Sequence, residues 1–118
     1  MYNKRNLQRL ESICKKIDAI QQICKIGVEK ALADELRDRP AIIMHLISCN
    51  EQLQKIQDSG DIEILSIFAP SDIAGFRGIR NASAHDYEGL NLAIVQSVIS
   101  DYLPSIKQNI DKFLKNKI

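Results

Sequence analysis

The stretch Phe76-Arg77-Gly78-Ile79-Arg80-Asn81-Ala82-Ser83-Ala84-His85-Asp86-Tyr87 gathers the most reactive set of side chains in this sequence. From Arg80 to Tyr87 a guanidinium, an amide, an imidazole and a phenol fall within about two helical turns. At about 100° per residue, Arg77 and Asn81 lie about 40° apart, as do Asn81 and His85. Arg80 lies roughly 140° from His85, so the two converge within one chain only if the helix bends or ends near His85. The small residues Ala82, Ser83 and Ala84 leave room for that.

These groups suit phosphodiester chemistry. Arginine stays charged and grips phosphate oxygens in pairs. An imidazole takes or gives a proton near neutral pH. Cleavage of RNA by its own 2′-hydroxyl needs a base, an acid and a cationic clamp, but no metal and no cofactor. One chain offers one suitable histidine, His85. A two-fold dimer placing His85 and its symmetry mate across one cleft would supply both proton-transfer groups. The same residue types also serve as plain surface and capping groups on helices, and spacing alone does not separate the two uses.

Other chemistries find less support. His45 has Ala41, Ile42, Ser48 and Cys49 at the positions one turn away, where a metal site would need further donors. Ser71 and Ser83 lack a paired His–Asp arrangement for acyl transfer. Gly75 and Gly78 form no phosphate loop, since no GxxxxGK[ST] occurs. One turn apart, they instead leave a bare strip that another backbone or a ligand can approach.

The elements that must position these residues follow a period of 3.6 almost throughout. Leu7, Leu10, Cys14, Ile17, Ile20 and Cys24 mark an amphipathic helix ending near Gly27. A short second helix is expected over 28–37. Asp38-Arg39-Pro40 opens the next, with Pro40 in the first turn, where its missing N–H costs nothing. Ile42, Leu46, Cys49, Leu53 and Ile56 then recur at steps of 4, 3, 4 and 3, and Ile43 and Ile47 widen that stripe. Residues 61–70 read as a loop or short helical turn. Ser71 is the expected N-cap of the motif helix, with Asp72 favourably placed against its dipole. Asn91 is expected to cap a last segment, in which Pro104 makes a kink or starts a separate helix. The predicted fold is all-α, an up-and-down bundle of four to five helices forming a single domain over residues 1–118.

Composition agrees with that class. The chain has 118 residues, 45% hydrophobic and 26% charged, as in ordinary globular proteins. A net charge of +1 excludes broad electrostatic coating of nucleic acid, so any such contact must be local. Cys14, Cys24 and Cys49 show no CxxC spacing and read as small buried thiols in a reducing compartment. Apolar runs such as Ala41–Met44 are too short to span a bilayer, and Met1–Asn6 leads into no apolar signal core. A cytoplasmic location without membrane attachment is expected.

Arg80-Asn81, three residues, then His85-Asp86-Tyr87 resembles the Arg-(four residues)-His-x-Tyr signature of the HepT-like toxins, a branch of the HEPN superfamily of small helical ribonucleases. The likeness extends to Arg39-Pro40-Ala41 with Glu51 later in that helix, to Ile73 and Phe76 ahead of the motif, and to Ile94-Val95 before Leu103-Pro104. Many relatives carry a tryptophan shortly before the motif helix and a glycine before the helix-2 glutamate; this chain has neither. The resemblance implies a homodimer whose two motifs meet in one metal-independent RNase site, with RNA as substrate. It also implies a minimal nucleotidyltransferase antitoxin as partner. Carried onto this chain, Arg80 clamps phosphate, His85 is the acid and base, Asn81 and Arg77 support the site, and Tyr87 accepts AMP. The alternative keeps the fold without catalysis, as a nucleotide-binding or interaction subunit of a nucleotidyltransferase complex.

Overall fold

The computed structural model describes residues 3–117, with the side chain of Lys117 left aside; Met1, Tyr2 and Ile118 lie outside the described residues. Helix α1, Lys4–Ile23, starts where the Asn3 side chain accepts the Arg5 N–H at 2.8 Å. It buries Leu10, Cys14, Ile17 and Ile20 of the expected stripe and Ile13 beside it, while Leu7 and Cys24 at the stripe's ends are half-buried. A tight turn, Cys24–Ile26, and Gly27 at φ 112° end it, a conformation that costs a residue without Cβ little. The short α2, Val28–Ala33, leads into α3, Asp38–Asp58. Arg39 fastens the two by donating from Nε to the Leu32 carbonyl at 2.6 Å.

Helix α3 is central. It lies against α1 on one side and against α5, Pro70–His85, on the other. Its buried residues include Ile42, Leu46, Cys49, Leu53 and Ile56, all of the predicted stripe. The uncertain stretch after Gly60 forms a single helical turn, α4, Ile62–Leu65, capped by Asp61, which accepts the Ile64 N–H at 3.2 Å. Asn6 is fully buried at the end of the α1–α3 seam, where its amide donates to Ser59 Oγ at 2.8 Å and Asp61 at 3.2 Å.

The start of α5 differs from expectation. Pro70 already occupies the first helical position, so Ala69 is the N-cap and Ser71 is an exposed second residue. Proline's fixed φ starts the helix two residues early. The capping role passes to Asp72, which is buried and accepts the Ala69 N–H at 2.9 Å.

Asn91 caps α6, Leu92–Ser97, accepting from Ala93 at 3.0 Å and Ile94 at 3.4 Å, as expected. Pro104 neither breaks nor restarts the chain's last helix. A widened π-helical turn, Val98–Tyr102, runs straight into α7, Leu103–Lys117, with the Leu103 N–H reaching back to the Val98 carbonyl. Such a turn relaxes the helix where proline supplies no donor. Helix α7 returns along α1, and an ion pair between Lys107 and Asp18 links them.

The result is an all-α bundle around one apolar core. No helix among the described residues is long and apolar enough to cross a membrane. Cys14 and Cys49 are buried as expected, while Cys24 is half-buried. Burial pushes both buried thiols up to about 12, with Cys14 also donating to Asp111 at 3.4 Å.

Candidate functional site

The polar residues of the motif all lie on the outer side of α5, because Phe76 and Ile79 turn inward to the core. Arg77, Arg80, Asn81, His85 and Tyr87 are exposed. The helix is regular to its end at His85, with the Asp86 N–H closing the last turn on the Ala82 carbonyl at 2.8 Å. Asp86 then accepts the Gly89 N–H at 3.0 Å, and the Leu90 N–H bonds the Tyr87 carbonyl at 3.2 Å. This small turn folds Tyr87 back beside α5.

Two hollows flank Arg80 between α3 and α5. The first, about 480 Å³, is polar. Helix α3 contributes Asn50, Glu51, Gln54 and Lys55; α5 contributes Arg77, Arg80 and Asn81. Three cations therefore face one carboxylate, a local surplus of positive charge in a chain whose net charge is only +1. Arg80 donates to Asn81 Oδ1 at 3.3 Å, and Arg77 donates to Gln57 at 3.2 Å, so both guanidiniums are oriented while remaining open to solvent.

The second hollow, about 340 Å³, is mainly apolar. Pro40, Ile43, Met44 and Ile47 of α3 form one wall; Arg80, Ser83, Ala84 and Tyr87 form the other. Ser83 Oγ is buried there without a hydrogen-bond partner among the described residues. An orphaned hydroxyl of this kind costs about 1–3 kcal/mol.

Arg77, Arg80 and Asn81 are thus brought together in one groove, and Arg80 and Tyr87 in the other. His85 lines neither hollow. The expected bare strip at the glycines is present: Gly75 and Gly78 both line a small apolar hollow with Ile79, Leu90, Ile94 and Val95. Gly75 is covered by Val98 and Tyr102, whereas Gly78 has open space where a Cβ would stand. Among the described residues no group of three or more His, Cys, Asp or Glu side chains is placed to hold a metal ion.

The motif alone does not reveal the α3 half of the grooves. A signal for it exists: Pro40, Ile43, Met44, Ile47, Asn50, Glu51, Gln54 and Lys55 form a second stripe at helical steps. Nothing in the pattern of the sequence marks Ser83.

In this all-α bundle the groove along the α3–α5 pair sets Lys55, Arg77 and Arg80 against Glu51, side chains of the kind that pair with phosphate oxygens. The family model Ribonuclease HepT-like matches residues 13–113, and the chain belongs to this HepT-like ribonuclease family. No curated protein and no solved structure gives a significant match.

Proposed function

We propose that this protein is a cytoplasmic, metal-independent endoribonuclease toxin of a toxin–antitoxin pair, one domain per chain, working as a homodimer. Family membership supports ribonuclease activity, and the surplus of positive charge around Arg80 carries the assignment of the site. Arg80, with Arg77 and Asn81 beside it, grips the scissile phosphate. Neutral His85 takes the proton from the 2′-hydroxyl as its oxygen attacks the phosphorus. The partner's His85, protonated, gives a proton to the departing 5′-oxygen, leaving a 2′,3′-cyclic phosphate and a 5′-hydroxyl. That His85 stands outside both hollows of one chain favours a site completed by a second copy.

Tyr87 is the proposed acceptor of AMP from a nucleotidyltransferase antitoxin. Its ring shares a hollow with Arg80, so an adenylate on its oxygen would bring a negative charge beside the clamp and obstruct RNA. Mass spectrometry after incubation with ATP, Mg²⁺ and the partner enzyme should find the added AMP on Tyr87.

The decisive measurement is RNA cleavage by the purified chain. Cleavage should persist in EDTA and fall at least about 100-fold in His85→Ala and Arg80→Ala, with melting temperatures unchanged. Activity surviving both substitutions overturns the site. A second reading, a nucleotide-binding subunit without catalysis, draws on the same position of His85 outside the grooves. Expression separates them: a toxin arrests growth without its partner, and His85→Ala relieves the arrest.

A further inference from the structure

The apolar hollow beside Arg80 is not used by the cleavage chemistry above. Its walls are Met44 and Ile47 on α3, and Ser83 and Tyr87 on or just beyond α5. Met44 is 63% exposed and lines the hollow together with Pro40, Ile43, Ile47, Ala84 and Tyr87, so its apolar surface is continuous with that of its neighbours. Its size, about 340 Å³, sits at the lower end of cavities that hold small organic ligands. Three features narrow the occupant. The apolar walls and the Tyr87 ring suit a flat aromatic body. Ser83 lines the hollow while its Oγ is closed to solvent and has no partner among the described residues, so a ligand with hydrogen-bonding atoms on its edge offers the hydroxyl a partner once the side chain turns. Arg80 borders this hollow and the cationic groove alike, so the same ligand has a phosphate next to that body.

We propose that this hollow is a nucleobase subsite, holding one unstacked base of single-stranded RNA beside the phosphate gripped by Arg80. The base lies against Tyr87 and Met44, in the manner by which proteins hold splayed RNA bases on aromatic rings. A modest turn of the Ser83 side chain brings its hydroxyl to the base edge. RNA with its bases paired cannot enter, so the subsite selects unpaired segments. The inference rests on the ribonuclease reading for its substrate, though base binding can be measured without cleavage.

The test titrates the full chain with AMP, CMP, GMP and UMP, and with ribose 5-phosphate, which lacks the base, while following amide NMR shifts. At least one nucleotide should bind about five-fold or more tighter than ribose 5-phosphate and move the signals of Met44, Ser83 and Ala84. Tyr87→Ala and Met44→Ser should abolish that preference with ribose 5-phosphate binding unchanged, whereas Tyr87→Phe, which keeps the ring, should retain it. Ser83→Ala should narrow the preference while the melting temperature holds or rises, a pairing that a purely structural role would not give. Equal binding of nucleotides and ribose 5-phosphate overturns the proposal. So does a preference that disappears only because Met44→Ser changes the oligomeric state, which would make the hollow a contact between copies. Nucleotide binding in the hollow with RNA left intact retains the subsite and sinks the ribonuclease reading. RNA cleavage without base preference does the reverse.

Discussion

Helix α3 presents two faces that do opposite work. Toward α1 it offers Ile42, Leu46, Cys49, Leu53 and Ile56, all within 1% of complete burial. Roughly 150° around the same helix, Pro40, Ile43, Met44 and Ile47, then Asn50, Glu51, Gln54 and Lys55, line the hollows beside α5. The first face is dry and apolar along its whole length. The second changes character halfway, from an apolar hollow to a charged groove, with Arg80 of α5 at the junction. One face holds the fold; the other leaves space and charge open beside α5. Sites need such incompletely filled surfaces, and a well-packed neighbouring seam makes them tolerable.

The sharpest way to break this contrast is to truncate one residue on each face. Leu46→Ala should destabilise the protein by about 2–5 kcal/mol, because a fully buried leucine leaves a cavity. Met44→Ala, two residues away but 63% exposed, should change stability by less than about 0.5 kcal/mol. Urea unfolding of both variants measures the difference. Equal losses would mean that the outer face carries the fold as well.

A smaller effect should come from the element that carries the motif to α3. Asp72 caps α5 by accepting the Ala69 N–H, and Asp72→Ala should cost about 0.5–2 kcal/mol. Hydrogen exchange should quicken first in the opening turns of α5, with the amides of the α1–α3 seam protected as before. Loss of protection in α1 instead would show that the two faces unfold as one unit and that the contrast is only local.

The seam was legible in the sequence because packing two helices needs nothing beyond apolar residues at steps of three and four. Every member of the Ile42–Ile56 stripe is buried where its period places it. The helix ends were harder. Ser71 is a sound N-cap by type, yet Pro70 preceding it shifts the start, a competition between two local preferences that the sequence does not rank. Pro104 reads as a kink or a new helix start, whereas the π-helical turn before it accommodates the missing donor. For the site, Arg77, Arg80 and Asn81 are legible as one cluster by spacing, and the three line one groove. His85 lies only about 40° around the helix from Asn81, so its separation from the groove is along the axis, one turn further on at the helix end. The α3 wall is not legible as part of the site, since a mixed stripe looks the same whether it faces solvent or a groove. Ser83 was illegible altogether: an orphaned hydroxyl is a property of its surroundings.

The smallest expected effect tests the seam's outer flank. His45 lies on α3 near Lys16 of α1, on the side away from α5. Partial burial, and to a lesser degree the Lys16 charge, disfavour imidazolium and hold this histidine below its ordinary value of 6.5. The unfolded chain therefore binds the proton first as pH falls through that value. Stability from this group is fully present above it and declines until His45 is protonated in the folded state too. His45→Gln should flatten part of the fall in urea midpoint between about pH 7 and about pH 5 while leaving nucleotide binding at Arg80 unchanged. An unaltered slope would remove His45 as the source. A change in nucleotide affinity would be the more damaging result for the contrast, because it would mean that charge on the α1 side of α3 is felt in the groove on the other.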